Sequence, residues 1–274
     1  MAADPAPLSD TAQHVRAYPA AARTGPHPGL LWMHGGAFVG GSLDIAESDA
    51  VCTRLAQAGI ACIAVDYRLV PGFRSRRRRH PDAVRYPLPL DDCERAWHHL
   101  RDRLDSLNVD RQRVHVGGAS AGGALAVTLT MRLLQTGQHP PAGVVLAYPY
   151  LHAELPPLGA DVRRAVRGPR RLGTFNRAAV RWIAHNYVGR DRLDLLAEAL
   201  PGGADLTGFP PTLIVNSDRD TLRASGEAFA DELRTYHCPV DIRCEPGTSH
   251  GHLNRPDHPG FERTLGTITT WLTR

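Results

Sequence analysis

The sequence predicts an α/β fold with a doubly wound, mostly parallel sheet, and three observations predict it. Apolar runs of strand length recur without alternation at Gly29–Met33, Ile60–Val65 and Gly143–Tyr148, with a short β-branched strand from Val114 and a further strand at Pro211–Asn216, as strands covered on both faces require. Stretches with apolar residues at helical spacing separate them, giving the strand–helix rhythm of a parallel sheet. Turns rich in Gly, Ser, Asp or His follow the runs, at the rim where such sheets carry their sites.

In chain order, residues 1–28 are rich in Ala and Pro and read as a loosely structured N-terminal segment without a secretory h-region. The Gly29–Met33 strand ends in His34-Gly35-Gly36-Ala37-Phe38. Asp44 to Ala58 reads as a helix with Val51 and Leu55 on one face, stopped by Gly59. The Ile60–Val65 strand ends in Asp66-Tyr67-Arg68, which would hold a strand end, and an irregular Pro/Arg loop follows from Val70 to Leu90. Asp91 with Glu94 resembles a capping box opening a helix with Trp97, Leu100 and Leu104 on its apolar stripe. The rhythm breaks between 152 and 209, where prolines, glycines and one helical stretch (Asn176 to Tyr187) suggest an inserted cap. It resumes with helix Ala224–Tyr236, strand Val240–Cys244 and a last helix after Pro259, so 1–274 reads as one domain.

Composition narrows the function classes. Hydrophobic content is 42% and charged content 22%, ordinary for a globular chain, and no apolar run is long enough for a membrane span. All 32 basic residues are Arg, and with abundant Ala, Gly and Pro this fits a GC-rich, bacterial coding sequence better than a nucleic-acid binder. The run Arg74 to Arg79, five arginines in six positions, has no interleaved aromatics and reads as a solvated loop. Five scattered cysteines without C-x-x-C spacing favour reduced thiols in a cytoplasmic protein. No metal-ligand spacing and no phosphate-binding glycine loop is present, so neither metal nor cofactor is expected.

The chemistry is carried by Gly118-Ala119-Ser120-Ala121-Gly122, a G-x-S-x-G turn between a strand and a helix. So sharp a turn holds the serine hydroxyl out into a cleft, and small flanking residues let strand and helix pass. Serine alone is a weak nucleophile. It needs a general base within hydrogen-bond reach and a carboxylate to orient that base. The turn after the Pro211 strand offers Asp218 and Asp220, and the turn after the Val240 strand offers His250 and His252. His250 is preferred as base because it lies in a glycine-flanked turn after the last strand. In the glycine turn at 34–36, the backbone N–H groups of Gly35 and Gly36, with that of Ala121, would bind a developing oxyanion, and His34 would shape the loop.

Taken together, His34-Gly35-Gly36-Ala37-Phe38, Asp66-Tyr67-Arg68-Leu69-Val70-Pro71, Pro89-Leu90-Asp91-Asp92, Gly118-Ala119-Ser120-Ala121-Gly122-Gly123, Asp220-Thr221-Leu222-Arg223 and His250-Gly251 resemble the bacterial hormone-sensitive-lipase-like esterases of the α/β-hydrolase fold. The resemblance covers residue 29 to the C-terminus and implies a Ser120–His250–Asp220 triad, with Asp220 preferred to Asp218. It also implies hydrolysis of short- to medium-chain carboxylic esters through an acyl-enzyme, without cofactor, in a chain able to form a homodimer. Alternatives with the same apparatus are an aryl formamidase or a natural-product O-deacetylase, and, outside catalysis, a ligand receptor on the same fold. Three departures from the family pattern stand out. The N-terminal part of the cap is short. Ala119 stands where the family often has Asp or Thr. Gly72 replaces a usual Glu, ahead of an inserted segment from Phe73 to Tyr86.

Overall fold

A computed structural model describes residues 8–10, 14–21, 25–72, 74–75, 80, 82–167 and 174–274. Most of the arginine run at 74–79 lies outside these. The strands are β1 (Leu8–Asp10), β2 (Val15–Tyr18), β3 (His27–Met33), β4 (Ala61–Val65), β5 (Val109–Ala119), β6 (Val144–Ala147), β7 (Thr212–Arg219) and β8 (Val240–Ser249). They form one sheet in the order β1-β2-β4-β3-β5-β6-β7-β8. From β4 to β8 every pairing is parallel, while β2 runs antiparallel to both neighbours.

The strands are apolar throughout because both faces are covered. Leu31 and Met33 enter a core with Trp97 and Leu100 of helix α2 (Leu88–Asp102), Leu125 and Leu129 of α3 (Ala121–Gln135) and Phe229 of α7 (Arg223–Thr235). Leu30 and Trp32 point the other way, to Val51 and Leu55 of α1 (Asp49–Gln57) and Phe261 and Ile268 of α8 (Pro259–Leu272). A one-residue slip of β3 would exchange the two sets, so its register is fixed by packing. Between β6 and β7 lie α4 (Ala160–Ala165), α5 (Arg177–Val188), a short 3-10 turn (Leu193–Leu195) and α6 (Leu196–Ala199), with no strand among the described residues. Nor is any described helix long and apolar enough to cross a membrane.

Three local expectations are corrected. Residues 1–28 are not uniformly loose, since β1 and β2 lie there. Val15, Ala17 and Tyr18 are buried, and β2 is tied to α1 by Tyr18 Oη donating to Asp49 at 2.8 Å and by Arg16 to Asp49 at 3.3 Å, with Arg16 also meeting Asp44 of the preceding turn at 2.8 Å. Four residues are too few to show a period against an Ala/Pro background. The first helix starts at Asp49 rather than Asp44, because Ile45–Ser48 forms a turn that sends Glu47 inward. Finally, α2 begins at Leu88 after Pro87, so Asp91 and Glu94 lie inside it and receive Arg132 of α3 at 2.8 and 3.0 Å. They brace two helices rather than cap one.

Candidate active site

The C-terminal ends of β3, β5, β7 and β8 deliver the site. At the tip of β5, Ser120 has φ +52° and ψ −115°, backbone that L-residues rarely adopt. The turn is fixed by Ser120 N–H donating to Ala147 O (2.9 Å) and by the N–H groups of Tyr150 and Gly123 donating to Ser120 O (each 3.0 Å). Gly122 is where the turn needs a missing side chain. A Cβ there would lie 2.2 Å from Met33 O and 2.5 Å from His34 O, so α3 could not pass the end of β3.

Ser120, Asp220 and His250 come together as the sequence predicts. His250 Nε2 lies 2.9 Å from Ser120 Oγ, and His250 Nδ1 lies 2.6 Å from Asp220 Oδ2. Asp220 is fully buried, and its other oxygen accepts the Leu222 N–H at 2.9 Å. Burial pulls the His250 imidazolium down. The charge of Asp220 and its hydrogen bond, with a further contribution from Glu47, outweigh this and raise the pKa above the ordinary value of 6.5. Phe175 and Tyr148 pack edge-on to the ring, with centroids 4.8 and 5.0 Å away.

The competing residues have other partners. His252 is held between Ser217 Oγ (2.9 Å) and Thr264 Oγ1 (2.8 Å), and burial pushes its pKa down to about 3. Asp218 accepts the Gly247 N–H at 3.1 Å, holding the irregular end of β8. His34 shapes the glycine loop, with Nδ1 2.7 Å from Gly35 O, its ring stacked on Tyr67 and its pKa lowered by burial. Tyr67 Oη donates to His34 O at 2.8 Å, while Arg68 forms a two-pronged pair with Asp92. Tyr67 and Arg68 therefore hold the strand end.

One oxyanion donor is corrected. The Gly35 N–H donates to Glu47 Oε2 at 2.5 Å, so it is not free to meet a second anion. Gly36, Ala37 and Ala121 carry N–H groups without a hydrogen bond among the described residues. Ala37 was missed by sequence reasoning. It stands at φ +54° just past the two glycines, a conformation no local pattern announces for alanine. Gly35 instead brings the loop close, since a Cβ on it would lie 3.1 Å from Ser120 Cβ.

Glu47 was missed altogether. Its buried carboxylate accepts from the Gly35 N–H, from Tyr148 Oη (2.5 Å) and from Asn254 Nδ2 (3.0 Å). It thereby joins the glycine loop, the end of β6 and the segment after His250. Replacing Glu47 with Leu strands two buried donors, the Gly35 N–H and Tyr148 Oη, at about 1–3 kcal/mol each, while the exposed Asn254 amide turns to water. A loss of roughly 2–6 kcal/mol in urea unfolding is the expected result.

Over the glycine loop, Phe38 stacks on Tyr187 of α5 with ring centroids 3.7 Å apart, and Asn186 Nδ2 donates to Pro71 O at 3.0 Å. Beside His250, a cavity of about 720 Å³ is lined by Phe175 and Thr221 with Leu155, Pro156, Leu158 and Val166.

The chain as a whole resembles known proteins. A family model described as alpha/beta hydrolase fold matches residues 30–254. The chain is 33% identical to an ethyl acetate hydrolase of Pseudomonas putida, over 82% of this chain and 65% of that protein. It is 31% identical to the carboxylesterase/phospholipase LipF of Mycobacterium tuberculosis, over 96% of this chain and 66% of that one. The chain thus spans about two thirds of the length of these curated relatives. An esterase structure from Pyrobaculum calidifontis superposes with a TM-score of 0.77 at 29% identity, over 94% of this chain and 79% of that one. With the strand order, the G-x-S-x-G turn and these matches in agreement, the chain belongs to the hormone-sensitive-lipase-like esterase family of the α/β-hydrolase fold.

Proposed function

We propose that this chain is a serine carboxylesterase acting on short- to medium-chain esters. The observation that carries the reading is the continuous hydrogen-bonded line from Ser120 Oγ through His250 to Asp220. His250 Nε2 takes the Ser120 proton as Oγ attacks the ester carbonyl. Asp220 fixes the tautomer with the proton on Nδ1 and stabilises the imidazolium that forms. The tetrahedral oxyanion lies on the N–H groups of Gly36, Ala37 and Ala121, at the positive end of α3. His250 then protonates the departing alkoxide and leaves an acyl-Ser120. A water molecule, deprotonated by the same nitrogen, releases the acid and restores the hydroxyl. The segment between β6 and β7 serves as the roof, with α5 above the glycine loop through Phe38 and Tyr187.

A fluorophosphonate probe tests this directly. The folded protein is expected to be labelled at Ser120, and the His250→Ala variant to lose nearly all labelling. A folded wild-type protein that takes no label would overturn the esterase reading in favour of a ligand receptor on the same fold.

A further inference from the structure

We propose that the ester taken by this site carries an anionic group, a carboxylate or phosphate remote from the scissile bond, received by Arg167 and Arg177. The inference rests on the esterase reading above and names its substrate class. Charge is distributed unevenly along the chain. Residues 74–86 and 160–192 hold 15 of the 32 arginines but only 3 of the 28 acidic residues. Elsewhere 17 arginines face 25 acidic residues, so the chain's positive excess belongs to these two segments.

The cavity beside His250 concentrates this excess. Its apolar wall, made by Leu155, Pro156, Leu158, Val166 and Phe175, is joined by Arg163, Arg167 and Arg177, with no acidic residue among its described lining. Several arginines elsewhere are matched with carboxylates, as in Arg68 with Asp92, Arg132 with Asp91 and Glu94, and Arg263 with Glu245. Among the described residues the exposed side chains of Arg167 and Arg177 have neither a carboxylate partner nor a hydrogen bond. Across α5 a second cavity of about 740 Å³ is also lined by arginines, Arg85, Arg181, Arg190 and Arg192, of which Arg181 is paired with Glu154 and Arg192 lies near Asp194.

Guanidinium groups gathered without counter-charges repel one another, and an anion between them relieves that repulsion while gaining charge-assisted, two-pronged hydrogen bonds. The apolar wall suits the methylene chain between such an anion and the ester carbonyl. Phe175, which lines the cavity and touches His250, joins the anion subsite to the reacting centre.

The test compares p-nitrophenyl hexanoate, mono-p-nitrophenyl adipate and p-nitrophenyl phosphonopentanoate, each corrected for spontaneous hydrolysis. For wild-type protein at low salt, kcat/KM for at least one anionic ester is expected to exceed that for hexanoate by roughly 10- to 100-fold, the worth of one good charge-assisted contact. Adipate ahead assigns a carboxylate, and the phosphonate ahead assigns a phosphate. Added salt lowers the ratio. In the Arg167→Glu/Arg177→Glu double variant the ratio is expected to fall to one or below. If hexanoate is hydrolysed but neither anionic ester is preferred, the substrate class is wrong while the esterase reading stands. A ratio unchanged in the double variant removes Arg167 and Arg177 from the assignment. If no ester is hydrolysed at all, the esterase reading itself fails.

Discussion

Replacing Ser120 with alanine is expected to lower kcat on p-nitrophenyl butyrate by about 10⁴- to 10⁶-fold, the range found when a serine hydrolase loses its nucleophile. The size follows from what is removed. His250 then has no hydroxyl to deprotonate, and the two-step route through an acyl-enzyme closes, leaving only positioning and oxyanion stabilisation. The substitution deletes one oxygen, 2.9 Å from His250 Nε2, and leaves the backbone bonds of the turn in place. Thermal unfolding should therefore move by only a few degrees while activity vanishes. A variant retaining more than about 1% of wild-type kcat would place the nucleophile elsewhere.

Asp220→Asn is expected to cost about 10⁴-fold in kcat, as the loss of the matching carboxylate does in trypsin-like enzymes. An asparagine amide at 2.6 Å from His250 Nδ1 donates instead of accepting, which favours the tautomer with its proton on Nε2, facing Ser120. That nitrogen can no longer act as base. The same substitution moves the pH profile. His250 must be neutral to accept a proton, and its pKa is raised above 6.5, with Asp220 as the main raising influence. The acidic limb of kcat/KM in the wild type accordingly lies above about 6.5. Without that carboxylate the limb shifts to lower pH, because burial then dominates. A profile of kcat/KM from acid to alkaline pH measures both effects. An acidic limb for Asp220→Asn at or above the wild-type position would contradict this account of His250. Linkage works the other way for the fold. A raised histidine pKa adds stability that is complete below the unfolded value and is lost as pH climbs through the folded one. The protein is thus most active where this increment is gone.

Much of this site was readable in the sequence because its parts are punctuated locally. Ser120 stands between a β-branched run and a helix in a turn that only small residues permit, and Asp220 and His250 follow apolar runs of strand length. Their order along the chain, at the ends of β5, β7 and β8, is repeated as nearness in space because parallel strands present their ends on one rim. What stayed hidden depends on partners far away. Glu47 falls in a stretch whose spacing suits a helix, and nothing near it signals that its carboxylate meets Tyr148 and Asn254. The availability of the Ala37 N–H, and the engagement of the Gly35 N–H, are facts of loop geometry that residue type does not encode. For β2, four residues paired with β4 owe their order to the neighbouring strand rather than to their own pattern.

The bond between Glu47 and Asn254 spans 207 residues, and that between Ser120 and His250 spans 130. Closing loops of this length costs chain entropy that nearby contacts cannot offset in advance. The catalytic centre therefore has no local precursor. It is complete only with β8 and the segment after it in place, so a chain truncated before His250 keeps the Ser120 hydroxyl but has no base to activate it. Enzyme activity in this protein is for that reason a measure of completed folding across nearly the whole chain, not of order at the elbow alone.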